Sequence, residues 1–243
     1  FEEDALRILR AFRFQSKLGF QIEPSTKAAM SKAMPLLNQI ANERILQEWK
    51  EIVEGDNALI AFQTLLDCGL PIVLHPLEKG LSVIVQNHNS LSSLAAFYAF
   101  CFWIDQKEIP SDWRFSNKQK ALIETLITLA DVIKDDTINV YLVYSYGLEV
   151  CLLANEMVRI IKPTHNQETR IRDMHHAMPI HKTCDLAFKG QDILKLNLVT
   201  DARLIGDIID DITYQVISLQ LPNTYDAIKT YVLNNIHSYQ ITE

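Results

Sequence analysis

Residues 2–20 read EEDALRILRAFRFQSKLGF and decide the fold class. At 100° per residue, five apolar side chains fall within one arc of about 160°: Ala5, Leu6, Ile8, Leu9 and Phe12. Asp4, Arg7, Arg10 and Lys17 fall on the opposite side. Acidic residues in the first turn favour a helix start, and Gly19 suits its C-cap. The segment therefore predicts an amphipathic helix over residues 2–18.

Helical periodicity continues along the chain, and no strand-like alternation interrupts it. Further helices are predicted at 25–33, 42–54 (capped by Asn42), 57–68, 90–104, 116–134, 138–161, 164–176, 192–196, 201–219 and 223–236. Gly147 is expected to be tolerated inside one long helix. With 7 Gly and 8 Pro in 243 residues, the composition disfavours a sandwich or barrel rich in tight turns. The prediction is an all-α chain of about ten helices.

The overall charge argues against nonspecific nucleic-acid binding as the main role, because the formal net charge is -7. Residues 1–50 nevertheless carry 8 Lys/Arg against 6 Asp/Glu, so the excess acid lies downstream. The longest apolar run, 91–104, suits a buried helix better than a membrane span.

The four cysteines are widely spaced, at Cys68, Cys101, Cys151 and Cys184. This spacing predicts reduced core thiols in a cytoplasmic protein rather than a zinc or redox site. Because the chain starts at Phe1 and enters a helix at once, we expect it to be part of a longer protein.

Several segments resemble one family. EEDALRILRAFRFQSKLGF is similar to the neck motif of class II tRNA nucleotidyltransferases (CCA-adding enzymes) and the related bacterial poly(A) polymerases, with the pattern E-D-x-x-R on a helix. ANERILQEWKEIV (41–53) resembles the next motif, and GLPIVLHPL (69–77) the stretch that closes the neck. MPIHKTCDLAFKGQDIL (178–194) and LIGDIIDDI (204–212) resemble the tail of the bacterial CCA-adding type. The similarity is strongest in 1–53.

The resemblance implies the C-terminal part of such an enzyme. It implies an elongated array with a neck (1–80) that reads the nucleotide base, a body (81–164) and a tail (165–243) that binds the tRNA elbow. The implied partners are tRNA, CTP, ATP and an N-terminal catalytic head absent from this chain.

The base-reading chemistry follows from hydrogen-bonding edges. Cytosine and adenine present an amino donor beside a ring-nitrogen acceptor, whereas uracil and guanine present the reverse. An ionised Asp only accepts and an Arg only donates, so an Asp–Arg pair on a rigid helix accepts C and A and rejects U and G. By position Asp4 and Arg7 match the family's pair, and Arg10 could steady them or touch the nucleotide. From the residues alone, the alternative is a surface salt bridge of about 0.3–0.5 kcal/mol.

The resemblance assigns supporting roles to other residues. Glu3 would orient the first helix, and Glu43 with Arg44 would brace it from the second motif. Arg13 falls off the Asp4–Arg7 face and is expected at the surface or facing RNA. In the tail, three cations are candidates for tRNA contact: Lys182, Lys189 and Lys195.

Metal catalysis is expected to lie outside this chain. Family catalysis uses a D-x-D pair that holds divalent metal ions, Mg²⁺ in the full-length enzyme, and the sequence has no D-x-D and no Gly-rich loop. Asp135-Asp136 and Asp210-Asp211 are adjacent pairs that suit solvated helix faces. We therefore expect no catalytic residue, no metal site and no activity in this chain alone.

Two alternatives remain. One is a poly(A) polymerase of the same family, which the acidic total and the DLAFKGQDIL tail (185–194) disfavour. The other is a helical interaction scaffold without a nucleotide role. The sequence leaves open whether the parent enzyme adds CC, A or all three nucleotides, and its oligomeric state.

Overall fold

The computed structural model describes residues 3–196 and 201–240, and within these ranges all regular secondary structure is helical. The α-helices are α1 (Leu6–Leu18), α2 (Pro24–Ala33), α3 (Asn42–Val53), α4 (Ala58–Cys68), α5 (Glu78–Gln86), α6 (Leu94–Asp105), α7 (Asn117–Lys134), α8 (Val140–Tyr146), α9 (Leu148–Ile161), α10 (Glu168–Ala177), α11 (Gly190–Lys195), α12 (Ala202–Ile217) and α13 (Tyr225–Gln240). Short 3₁₀ helices occupy Met34–Gln39, Ile72–Leu77, Ser111–Trp113 and Thr183–Asp185. The predicted all-α class is confirmed.

The chain divides into two compact units. The first comprises Phe1–Asp136 and Leu153–Asn166, and the second comprises Thr137–Leu152 and Gln167–Glu243. The division into neck, body and tail stays a prediction, and its first boundary, at residue 80, falls inside α5.

The core of the first unit forms where α1, α3 and α4 pack together and where α5 and α7 pack on α6. All five apolar residues predicted on one face of α1 are buried, which confirms that face. Trp49 of α3 is fully buried, with its ring centroid 5.6 Å from that of Phe62 and 5.8 Å from that of Phe97. The apolar stripes of these helices thus converge on an aromatic centre that fixes α1 against α3.

Some local predictions were wrong. Asn42 is the first residue of α3 rather than its cap, and its side chain instead donates to Asp112 Oδ2 at 2.8 Å. The sequence pattern did not indicate α5, whose Gly80 packs against Cys101 so closely that an added Cβ would lie 2.5 Å from the Cys101 Cα. Cys68, Cys101 and Cys151 are buried as expected, but Cys184 is exposed.

The predicted helix over 138–161 is two helices, because Gly147 separates α8 from α9. Its backbone has φ 81° and ψ 159°. Side-chain-bearing residues essentially never adopt this conformation. Periodicity remains helical on both sides, so the sequence pattern alone does not reveal the break.

The break at Gly147 predicts that alanine substitutions at two glycines of the second unit change the free energy of unfolding in opposite directions. A Cβ added at Gly147 or at Gly206, within α12, meets no atom within 4 Å, so the two sites differ in backbone conformation rather than in space. We expect Gly147→Ala to lower the free energy of unfolding by about 1–3 kcal/mol. Gly206→Ala, with helical backbone, should raise it by about 0.5–1 kcal/mol. Urea unfolding of both variants measures this, and equal shifts would contradict the assigned break.

The second unit packs α12 against α8, α11 and α13. Asp211 is half-buried rather than solvated, because its Oδ2 accepts hydrogen bonds from Tyr231 (3.0 Å) and Tyr239 on α13. The predicted solvated face thus holds for Asp210, which is exposed, but not for its neighbour. No described helix has the length and apolar character needed to cross a bilayer.

Candidate nucleotide-binding site

Asp4 lies immediately before α1 instead of within its first turn. The helix begins at Leu6, whose backbone N–H donates to Asp4 Oδ1 at 3.1 Å. The Arg7 backbone N–H donates to the Asp4 carbonyl oxygen at 3.2 Å. The predicted start at residue 2 was therefore too early, and the Asp4 carboxylate satisfies a free donor at the helix N-terminus. This bond holds one carboxylate oxygen in place.

The other carboxylate oxygen faces Arg7. Asp4 Oδ2 lies 4.0 Å from Arg7 Nε, and the side chains are 35% and 61% exposed respectively. An ion pair this long and this open contributes little to stability. An acceptor and several guanidinium donors are consequently left side by side and open to solvent, which is the arrangement that reading a base edge requires.

Arg10 and Arg13 share one carboxylate on α3. Glu48 Oε1 lies 3.5 Å from Arg10 Nε, and Glu48 Oε2 lies 3.0 Å from Arg13 Nη1. The Glu48 side chain is only 9% exposed, whereas those of Arg10 and Arg13 are 49% and 27% exposed. Arg13 thus faces α3 together with Arg10 and is only partly exposed, while its expected contact with RNA stays a prediction. The two arginines fasten the middle of α1 to α3.

The C-terminal end of α1 is fastened to α3 and to Asn57, the residue before α4. Ser16 Oγ donates to the Ile52 carbonyl oxygen at 2.5 Å, and the Asn57 backbone N–H donates to the Ser16 carbonyl oxygen at 2.7 Å. Lys17 Nζ donates to Glu51, and this hydrogen bond lowers the pKa of the Glu51 carboxyl. α1 is therefore held along its length, and the residues at its N-terminus project from a rigid support.

The other predicted support residues are exposed, and Glu43 pairs with a residue outside α1. Glu43 pairs with Arg114, which follows the 3₁₀ helix Ser111–Trp113, and both are exposed. Arg44 and Glu3 are exposed as well. Bracing of α1 by the second motif is thus carried out by Glu48 and Glu51 rather than by Glu43.

The role of Glu48 as a buried ion-pair partner could have been predicted from the sequence. It lies three residues after Ile45 and four before Ile52, both of which are buried, so it falls on the apolar stripe of α3. A charged residue on a buried stripe needs an ionic partner. The sequence signal was present, but nothing in it identified Arg10 and Arg13 as the partners.

This bracing predicts a selective loss of stability. Glu48→Gln keeps the side-chain shape but removes the charge that two arginines share, so we expect the free energy of unfolding to fall by about 1.5–3 kcal/mol. Glu54→Gln is the matched control, because Glu54, the residue directly after α3, is 47% exposed and its Oε1 lies 4.0 Å from Lys50 Nζ. Glu54→Gln should lower the free energy of unfolding by less than about 0.5 kcal/mol. Equal urea midpoints for the two variants would rule out a bracing role.

The tail lysines lie in the second unit. Lys182, Lys189 and Lys195 are all exposed. Lys195 Nζ lies 3.2 Å from Asp192 Oδ1, while the backbone N–H groups of Lys182 and Lys189 donate to Asp185 and Asp192. These turns present the lysine side chains to solvent.

The described residues hold no group of three His, Cys, Asp or Glu side chains arranged to bind a metal ion. His175 and His181 stack with ring centroids 4.4 Å apart, and burial lowers the pKa of His175, assisted by the charge of His181. Their donor set contains no carboxylate and does not suit Mg²⁺.

Two family models match the chain. One, described as tRNA nucleotidyltransferase domain 2 putative, matches residues 89–232. The other, described as probable RNA and SrmB-binding site of polymerase A, matches residues 19–78. Together they include most of both units.

Curated relatives resemble the chain along almost its whole length. The CCA-adding enzyme of Lactobacillus helveticus is 30% identical over 242 residues, covering 96% of this chain and 60% of the relative. That of Bacillus cytotoxicus is 26% identical over 242 residues, covering 96% of this chain and 61% of the relative. The chain therefore spans about three fifths of the length of these relatives.

Solved structures share the fold. The Bacillus stearothermophilus CCA-adding enzyme in complex with CTP superposes with a TM-score of 0.80 at 24% identity, covering 99% of this chain and 64% of the other. A CCA-adding enzyme in complex with ATP gives a TM-score of 0.65 at 16% identity, covering 97% of this chain and 61% of the other.

Proposed function

Since the chain belongs to the tRNA nucleotidyltransferase family, we propose that it is the nucleotide-selecting and tRNA-holding part of a CCA-adding enzyme. The observation that carries the proposal is the open Asp4–Arg7 pair at the N-terminus of α1. The named relatives, all described as CCA-adding enzymes, give the reaction in which such a pair would act.

Base selection requires fixed donors and acceptors. Asp4 is held by its bond to the Leu6 N–H, and α1 is held by Glu48 and Ser16, so neither helix nor carboxylate moves freely. The carboxylate would accept from the amino group of C or A, and the guanidinium would donate to the adjacent ring nitrogen. With U or G, the Asp4 carboxylate would face a carbonyl oxygen and the Arg7 guanidinium would face a ring N–H. Both charged groups would then be desolvated without a hydrogen-bond partner. This part of the site therefore selects the nucleotide and does not catalyse its addition.

Bond making would take place in a catalytic head belonging to the two fifths of the relatives that this chain does not span. Its carboxylates would hold Mg²⁺, and the ion would supply activation of the tRNA 3′ hydroxyl. The body and tail would hold tRNA, with Lys182, Lys189 and Lys195 contacting phosphates near the elbow. Because tRNA is the substrate, we place the enzyme in the cytoplasm.

A poly(A) polymerase is the second candidate. The model matching residues 19–78 is described for polymerase A, which supports it. The model matching 89–232 is described for tRNA nucleotidyltransferases, and it covers more of the chain. A poly(A) polymerase would incorporate ATP repeatedly and leave CTP unused, so the products separate the two candidates.

The proposal is tested by nucleotide addition. The full-length enzyme is incubated with tRNA that lacks its 3′-terminal A, with ATP and Mg²⁺, and this chain is incubated in parallel at equal concentration. We expect extension by the full-length enzyme and none by this chain above a heat-inactivated control, because the sequence of this chain contains no D-x-D pair. Extension by this chain would contradict the assignment of catalysis to the head and of nucleotide selection to this chain. Long poly(A) products from the full-length enzyme would favour the second candidate.

A further inference from the structure

The exposed face of α1 carries large apolar side chains beyond the nucleotide-reading pair. Phe14 is 52% exposed and Leu18 is 55% exposed, and they are neighbours at i and i+4 on the helix surface. Phe20, just past the Gly19 cap, is 62% exposed. We name these three residues the α1 strip. Neither base selection nor the packing of α1 on α3 uses it.

The helix that carries the strip is cationic. α1 contains Arg7, Arg10, Arg13 and Lys17 and no acidic residue. The Arg13 guanidinium carbon lies 5.4 Å from the centroid of the Phe14 ring. Glu48 is shared by two of these arginines, so α1 with its paired carboxylates carries four cations against Asp4, Glu48 and Glu51.

This combination distinguishes between two kinds of partner. The centre of a protein–protein interface is depleted of charged residues. Surfaces that bind single-stranded nucleic acid combine exposed aromatic faces, on which bases stack, with cations that follow the phosphates. Phe14 lies between exposed cations on its own helix face, with Arg10 one turn before it and Lys17 three residues after it. The strip therefore has the features of a stacking surface.

The position of the strip relates it to the nucleotide site. Phe14 lies seven residues after Arg7 on the same helix face, a separation of about 10 Å. Stacked nucleotides repeat at about 3.4 Å along a strand, so this distance corresponds to about three nucleotides. We infer that the α1 strip binds the single-stranded 3′ end of the RNA substrate by stacking a base on Phe14, while Arg7 reads the incoming nucleotide. This inference rests on the proposed function.

The test is binding of a fluorescein-labelled, eight-nucleotide single-stranded RNA ending in CC to this chain, measured by fluorescence anisotropy. A lost base stack weakens binding by roughly 5- to 150-fold, so we expect this loss for Phe14→Ala. Phe14→Leu should lose about as much, because leucine keeps apolar surface but has no π-face. Phe14→Trp should bind at least as tightly as the wild type. The matched control is Ile72→Ala, since Ile72 in the same unit is 63% exposed and remote in sequence from α1.

Several outcomes would overturn the inference. They are no RNA binding by the wild type, unchanged binding by Phe14→Ala, full binding by Phe14→Leu, or equal binding of a blunt duplex of the same sequence. Unchanged RNA binding by Phe14→Ala, or full binding by Phe14→Leu, would indicate that the strip contacts protein instead. A concentration-dependent dimer that Phe14→Ala abolishes would identify that protein as a second copy of the chain. Thermal melts serve as the folding control. If Arg7 variants alter nucleotide choice while Phe14 variants leave RNA binding intact, this inference fails and the proposed function stands.

Discussion

We expect Arg7→Ala in the full-length enzyme to lower kcat/KM for both CTP and ATP by roughly 10- to 150-fold. The reason is the loss of a charged hydrogen-bond donor that the bound base desolvates, which costs about 1.5–3 kcal/mol. Asp4→Ala should lower both values similarly and should also relax discrimination against UTP, because the carboxylate no longer repels its carbonyl. A four-nucleotide incorporation assay on each variant measures these effects.

The control for this prediction is another weak surface pair. Lys50 on α3 and Glu54, the residue directly after α3, pair with Nζ and Oε1 4.0 Å apart and are 48% and 47% exposed, so Lys50→Ala removes a pair of the same length outside the site. It should leave nucleotide choice unchanged. The double exchange Asp4→Arg with Arg7→Asp inverts the order of donor and acceptor and should shift preference towards UTP and GTP. If all variants melt normally and keep the wild-type nucleotide choice, Asp4 and Arg7 form only a surface salt bridge.

The second large effect concerns the support of the site. Trp49→Ala should lower the free energy of unfolding by about 3–5 kcal/mol, because it leaves a cavity between Phe62 and Phe97 in the fully buried centre of the first unit. A loss of this size is a large part of the total stability of a typical domain. α1 packs on α3, so nucleotide selection should be lost along with the fold of this unit.

A conservative variant makes this prediction sharper. The Trp49 indole N–H is buried and finds no hydrogen-bond acceptor in the part of the chain that the structure describes. Trp49→Phe removes this unsatisfied donor while keeping an aromatic ring. It should therefore lower the free energy of unfolding by clearly less than Trp49→Ala does, about 1–2 kcal/mol. Urea unfolding followed by circular dichroism gives both values, with Ile72→Ala as the exposed control. Equal losses for Trp49→Ala and Trp49→Phe would contradict this account of the core.

The α1 motif could be interpreted from sequence because its information is local. The spacing of Ala5, Leu6, Ile8, Leu9 and Phe12 fixes which face is buried, and that face was predicted correctly. Asp4 and Arg7 are three residues apart, so their proximity also follows from short-range geometry. The helix start was placed too early, because acidic side chains favour both a first helical turn and the residues that cap it.

The second unit illustrates the opposite case. Periodicity indicated helices on both sides of Gly147, but the backbone conformation of one glycine decided that they are separate. Asp210 and Asp211 look alike in sequence, yet only Asp211 meets the hydroxyl groups of Tyr231 and Tyr239 from another helix. Which of two adjacent carboxylates becomes partly buried depends on a helix about 20 residues away in the chain.

The sequence by itself thus determined the helical class, the buried face of α1 and the candidate base-reading pair, because each depends on residues within a few turns of one another. Only the tertiary structure decided that Glu48 joins Arg10 to Arg13 and that Glu43 pairs with Arg114 instead of bracing α1. These ion pairs join residues 35 or more positions apart. Their partners are selected by how the apolar faces of helices dock, since burial of those faces sets the orientation that charged side chains at their margins must then satisfy.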